Sequence, residues 1–118
     1  MKYMMFVCTD TEPDPPTGDP KLDDVEDWVE RHDASGTRVI GDALRPTAEA
    51  RTVRMRNGEV LVTDGPFAET REWIAGFDIL ECADIDEAIA VAAEHPMARF
   101  GRLELRAFDA DRGDGATR

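Results

Sequence analysis

The sequence predicts a small α+β domain built on one antiparallel sheet. Three observations carry that prediction. Two amphipathic helical segments are separated by short strands, in the order strand–helix–strand, hairpin, strand–helix–strand. The first strand is apolar on both alternating sets of side chains. An Asn57-Gly58 pair divides two alternating runs, the signature of a two-residue hairpin turn.

Met1 to Asp10 holds Tyr3, Met5 and Val7 on one set and Met4, Phe6 and Cys8 on the other, so the strand is expected to be central. The apolar run is too short for a signal sequence and no stretch approaches membrane-spanning length, which makes a cytoplasmic protein the expectation. Residues 10–20 carry prolines at 13, 15, 16 and 20 and form a solvated loop able to rim a cleft. A helix is predicted over about 20–35, with Asp19 as N-cap, Pro20 in the first turn and Gly36 past the end. Leu22, Val25, Val29 and His32, with Trp28 beside them, form its core-facing stripe, and His32 is read as packed or capping.

Arg38 to Leu44 reads as the second strand, ended by Pro46. Around Asn57-Gly58 the hairpin register follows: Arg56 opposite Glu59, Met55 opposite Val60, Arg54 opposite Leu61 and Val53 opposite Val62. Val53, Met55, Val60 and Val62 then share one apolar face, and Arg56 and Glu59 form a charge pair on the other. Gly76 to Cys82 is the next strand. Asp84-Ile85-Asp86-Glu87 is a capping box that opens a helix with Ile85, Ala88, Ile89 and Ala92 on one face. His95 and Pro96 close that helix, His95 being read as a terminal residue favoured by the helix dipole. Leu103 to Phe108 is the last strand, and the polar tail Asp109–Arg118 is expected to be disordered. Without the hairpin the order is βαββαβ, a ferredoxin-like arrangement in a single domain over 1–108. Two helices cover one face of such a sheet, and a second subunit is the economical cover for the other.

The 118 residues are 42% hydrophobic and 34% charged, with 26 acids against 14 bases and a net charge of −12. A basic footprint is missing, so nucleic acid and anionic membranes are not expected partners. Cys8 and Cys82 have no metal-like spacing; they are expected at opposite ends of neighbouring strands, roughly 20 Å apart, as free thiols. No metal and no cofactor is expected, because no phosphate-binding loop, zinc motif or nucleophile elbow is present.

The stretch with the most unusual chemistry is Val60-Leu61-Val62-Thr63-Asp64-Gly65-Pro66-Phe67-Ala68-Glu69-Thr70. Gly65 and Pro66 set a turn, Asp64 can cap the amides that follow it, and Phe67 can pin the loop to the core. The functional alternative presents Asp64 and Glu69 to a cleft, where a carboxylate of raised pKa acts as a general base. Asp64, Gly65, Pro66, Phe67 and Glu69 are therefore candidate binding residues. Asp64, Arg106 and Asp78 are candidate catalytic ones, the last two lining an inter-subunit cleft unless Arg106 and Glu104 are ordinary interface ion-pair residues.

Val62 to Glu72 resembles the signature of the DGPF branch of the YCII-related family, and Lys2 to Met5, Gly41 with Leu44-Arg45-Pro46, Gly76-Phe77, Asp84 to Ala88 and Glu104-Leu105-Arg106 are similar as well. The resemblance implies a ferredoxin-like fold and a homodimer of the dimeric α-β barrel type, with sheets packed face to face. It also implies a His–Asp pair proposed as an active site in smaller relatives. Aligned on Gly36, that His position falls on Val25, so the dyad is not carried over. DGPF-type proteins are frequent genomic companions of extracytoplasmic-function sigma factors. Two functions are therefore expected: a dimeric module for a small-molecule ligand or a protein partner, with a regulatory role, or a small enzyme transferring protons on an organic substrate.

Overall fold

The computed structural model describes residues 1–65 and 73–110. Six strands, β1 (Lys2–Thr9), β2 (Arg38–Ala43), β3 (Arg51–Arg56), β4 (Glu59–Asp64), β5 (Ile74–Glu81) and β6 (Gly101–Ala107), alternate with helices α1 (Pro20–Asp23), α2 (Val25–Ala34), α3 (Ile85–Ala93) and α4 (Met97–Phe100). Four strands form one antiparallel sheet in the order β2-β5-β1-β6, and among the described residues β3 pairs only with β4. β1 is central, as its doubly apolar sequence predicts. Tyr3, Met5 and Val7 face the helices and are buried with Trp28, Leu80 and Ala88. Met4 and Phe6 pair across the other face with Ile79 and Phe77 on one side and with Arg106 and Glu104 on the other. That second face is only half buried. Cys8 stands opposite Ile74, while Cys82 lies beyond the other end of β5 and donates its amide to Met1 O at 2.9 Å. Both thiols are free.

The first helical segment is two helices rather than one. Asp19 caps α1 by accepting from the Lys21 amide, as expected, but Asp24 is extended (φ −103°, ψ 122°) and caps α2 through the Glu26 amide. Asp19 and Asp24 supply two good N-caps five residues apart, and the second interrupts the first helix. Asp23 turns back to accept from the Thr17 amide (3.1 Å), the Thr17 hydroxyl (2.8 Å) and the Gly18 amide (2.8 Å). Its other partner is Arg99 Nη1 at 3.1 Å, and Arg99 Nη2 also donates to Leu22 O. The proline-rich loop is tied to the same arginine, because the Asp14 amide donates to Arg99 O at 2.9 Å.

The helix stripes correct the expectation in two places. Trp28 is fully buried and Val29 packs on the core, but Leu22 and Val25 are exposed. On α3 the buried side chains are Ala88, Val91 and Ala92, while Ile85 and Ile89 face outward. Small side chains let α3 sit close enough for the Trp28 indole to donate to Val91 O at 2.9 Å, and that packing sets the helix rotation. Asp84 Oδ1 accepts from the Glu87 amide, whereas Glu87 reaches back to the Ala83 amide.

The hairpin forms in the expected register, with Asn57 (φ 52°) and Gly58 (φ 79°) both in the left-handed region that a type I′ turn needs. Arg56 and Glu59 stand opposite each other without an ion pair; Arg56 donates instead to Met55 O. An exposed pair of long side chains gains little by closing. The hairpin projects from the body as an arm. The Cα radius of gyration is 16.5 Å, against about 13.5 Å for a compact domain of this length.

Candidate functional site

A cavity of about 670 Å³ opens where the ends of β2 and β5 meet α2 and α4. Val7, Val25, Val29, Phe77, Met97 and Phe100 give it apolar walls. Set into those walls is a buried ion pair. Arg38 enters β2 pointing to the helix side, and Asp78 points to the same side from β5. Arg38 Nε lies 2.6 Å from Asp78 Oδ1, and Arg38 Nη1 lies 3.0 Å from Asp33 Oδ1 at the end of α2.

Gly41 makes this pair possible. A Cβ at that position would stand 2.0 Å from Asp78 Oδ1 and 2.6 Å from Phe77 O, so only a glycine leaves room for the carboxylate across the strand. Burial pushes the Asp78 carboxyl above the usual carboxylate range, against the pull of the Arg38 guanidinium. Desolvation works against the Arg38 charge, but the carboxylates of Asp78 and Asp33 raise its pKa above the ordinary arginine value.

His95 completes the polar wall. It is 4% exposed, and its Nδ1 accepts from the Met97 amide at 3.0 Å. Burial, aided by the nearby Arg38 charge, lowers its pKa to about 4. It is therefore neutral at physiological pH and carries its proton on Nε2. This corrects the reading of His95 as a dipole-stabilised cation: the chain bends at Pro96 and turns the ring into the core. The Trp28 indole lies between two imidazoles, 4.6 Å from His95 and 4.9 Å from His32. His32 is packed, with Nε2 buried 3.6 Å from Glu94 Oε2, beyond hydrogen-bonding reach.

The candidate residues named from sequence separate into different regions. Asp78 lines the cavity. Arg106 pairs with Met4 on the opposite sheet face, so the two do not share a cleft within one chain. Asp64 is highly exposed, 3.2 Å from Arg51, at the base of the hairpin. Gly65 (φ 95°) follows it, with its amide donating to Ala50 O and its carbonyl accepting from Thr52 Oγ1. Pro66, Phe67 and Glu69 lie outside the described residues. Sequence reasoning missed Arg38 and His95 as parts of one site. The available signal was a glycine at Gly41, in the middle of a strand, where a close approach is the physical reason for lacking a side chain. Among the described residues no group of three or more His, Cys, Asp or Glu side chains is arranged to hold a metal, and no helix is long and apolar enough to cross a membrane.

The family model for the YCII-related domain matches residues 1–108. The chain belongs to the YCII-related family. A relative from Rhizobium meliloti (strain 1021), described as uncharacterized, is 49% identical over 65 residues, covering 53% of this chain and 52% of its own. The chain thus matches about half the length of that curated relative. In this YCII-related chain Val25, the position that the family resemblance aligns with a histidine, lies on the wall of the cavity.

Proposed function

We propose that this YCII-related protein is a cytoplasmic homodimer of ferredoxin-like subunits, packed sheet to sheet, whose cavity binds a small organic molecule. The cavity, with the Arg38–Asp78 pair in an apolar wall, carries the proposal. A concave apolar site with a few fixed polar groups is the usual form of a small-molecule site. Asp24 and Asp42 at the cavity, with a neutral His95, favour a ligand that is uncharged or cationic. The half-buried face of Met4, Phe6, Phe77 and Ile79 supports the dimer, because a sheet face of that composition seeks cover. A regulatory role beside a sigma factor rests on the family resemblance alone.

Nile red, a neutral dye, tests the site. We expect one dye per chain and weaker binding in Val25→Trp, which places an indole at the rim of the cavity. Binding unchanged by that substitution, or no binding, overturns the reading. A Val60→Asp, Val62→Asp variant serves as the control for dye on the arm and retains binding.

A second reading, proton transfer on a small organic substrate, is favoured by Asp78 alone. Its raised pKa and its place on the cavity wall suit a general base. If it is correct, Asp78→Asn abolishes turnover of an identified substrate while leaving that substrate bound.

A further inference from the structure

The buried ion pair at the cavity is short of positive charge. Arg38 is shared between two carboxylates: its Nε meets Asp78 Oδ1 at 2.6 Å, and its Nη1 meets both oxygens of Asp33, at 3.0 and 3.3 Å. The three groups together carry one net negative charge. Asp33 stands at the surface with 49% of its side chain exposed, whereas Asp78 is only 5% exposed. Among the described residues the one donor to the Asp78 side chain is Arg38 Nε, and it meets Oδ1. Oδ2 takes no hydrogen bond there, yet it is not sealed in, and Asp78 lines the cavity. A carboxylate buried this deeply needs a partner for its second oxygen. The surrounding groups do not supply one. Arg99 is engaged by Asp23 at 3.1 Å, and His95 is neutral. Asp24, exposed at the edge of the cavity, caps α2 and has no basic partner among the described residues.

We infer that the cavity selects a protonated organic amine, whose ammonium donates to Asp78 Oδ2 and whose hydrocarbon part lies on the apolar walls. The ammonium brings the missing positive charge to the two carboxylates that share Arg38, and it does so where little water competes. A hydrogen bond between two charged groups is about twice as strong as one between neutral groups, so an amine is preferred to a neutral molecule of the same shape. An anion meets the opposite balance: Asp78 and Asp24 face it, and the Arg38 charge is already divided between Asp78 and Asp33. Val7, Val25, Val29, Met97 and Phe100 surround the acidic wall with hydrocarbon, which suits an amine with an apolar body over a small, strongly hydrated cation. The inference rests on the small-molecule reading of the cavity given above and narrows it to one charge class.

Benzylamine, benzyl alcohol and benzoate share a ring and differ in charge, and benzylamine is a cation at neutral pH as lysine is. Each is titrated into the ¹⁵N-labelled protein at about 0.15 M salt, which screens the field of the acidic surface. We expect benzylamine to shift the amides of Val29, Gly41 and Met97 and to bind about tenfold more tightly than benzyl alcohol, with benzoate the weakest. Asp78→Asn should abolish that preference. Asp33→Asn, at an exposed site that leaves the core intact, gives Asp78 sole use of Arg38 and should weaken benzylamine severalfold without moving benzyl alcohol. Benzyl alcohol or benzoate binding in the cavity as tightly as benzylamine overturns the amine assignment and leaves the cavity reading standing. So do benzylamine shifts confined to surface acids, or a preference that survives both substitutions. Failure of all three compounds to bind overturns the amine assignment, and failure of Nile red as well overturns the cavity reading.

Discussion

The central strand and the hairpin arm each carry a row of apolar side chains at alternate positions and meet opposite fates. In β1, Tyr3, Met5 and Val7 are sealed under Trp28 and the helices, while in the arm Val53, Met55, Val60 and Val62 stand in solvent. The difference lies in neighbours. β1 has a strand on each side and helices across one face; among the described residues β3 and β4 pair only with each other. A period-two pattern states that a face will be covered, but not whether the cover comes from the same chain.

Substitutions should separate the two regions sharply. Trp28→Ala is expected to cost about 4 kcal/mol in denaturant unfolding, since it removes the largest fully buried side chain and its hydrogen bond to Val91 O. Gly41→Ala comes next, at about 3 kcal/mol, because its Cβ would expel Asp78 and leave Arg38 without its closest partner. A loss under 1 kcal/mol there would mean that the ion pair is readily rearranged.

The pH dependence is somewhat smaller. His95 titrates at about 4 when folded and near 6.5 when unfolded, so between those values the unfolded chain binds more protons. Stability is therefore fully present above pH 6.5 and is lost as pH falls toward 4, by about 2 kcal/mol after allowance for partial solvent access. His95→Gln should flatten that part of a urea-midpoint profile. Asp23 acts at lower pH. Although burial opposes it, hydrogen bonds from Thr17, Gly18 and Arg99 hold its carboxyl to about 2. That contribution is present above the ordinary aspartate value of 3.8 and is lost as pH falls through 2, and Asp23→Asn should remove it. The smallest effect is expected on the arm, where Val62→Thr should change the unfolding free energy by under about 0.5 kcal/mol. An equally large loss in arm and core would erase the contrast between them.

Local chemistry was legible in the chain. Asn57-Gly58 specifies a turn with two positive φ angles, and that turn sets the pairing of every residue from Arg51 to Asp64. Asp19 before Pro20 and Asp84 before Glu87 start helices because their carboxylates meet amides only two or three residues away. The doubly apolar β1 had no stable place except the middle of a sheet. These determinants act over a few residues, so reading them requires no knowledge of the rest of the molecule.

The site was decided by the tertiary structure. Arg38 and Asp78 are 40 residues apart and meet because β2 and β5 are neighbours with a glycine between the side chains. His95 looked like a helix-end cation and became neutral because burial against Trp28 removes the water that would stabilise its charge. The rotation of α3 followed from how closely Ala88 lets it approach the sheet. Periodicity ranks the faces of a helix or strand by hydrophobicity, but desolvation and close contact depend on what packs against each face, and only the folded chain supplies those neighbours.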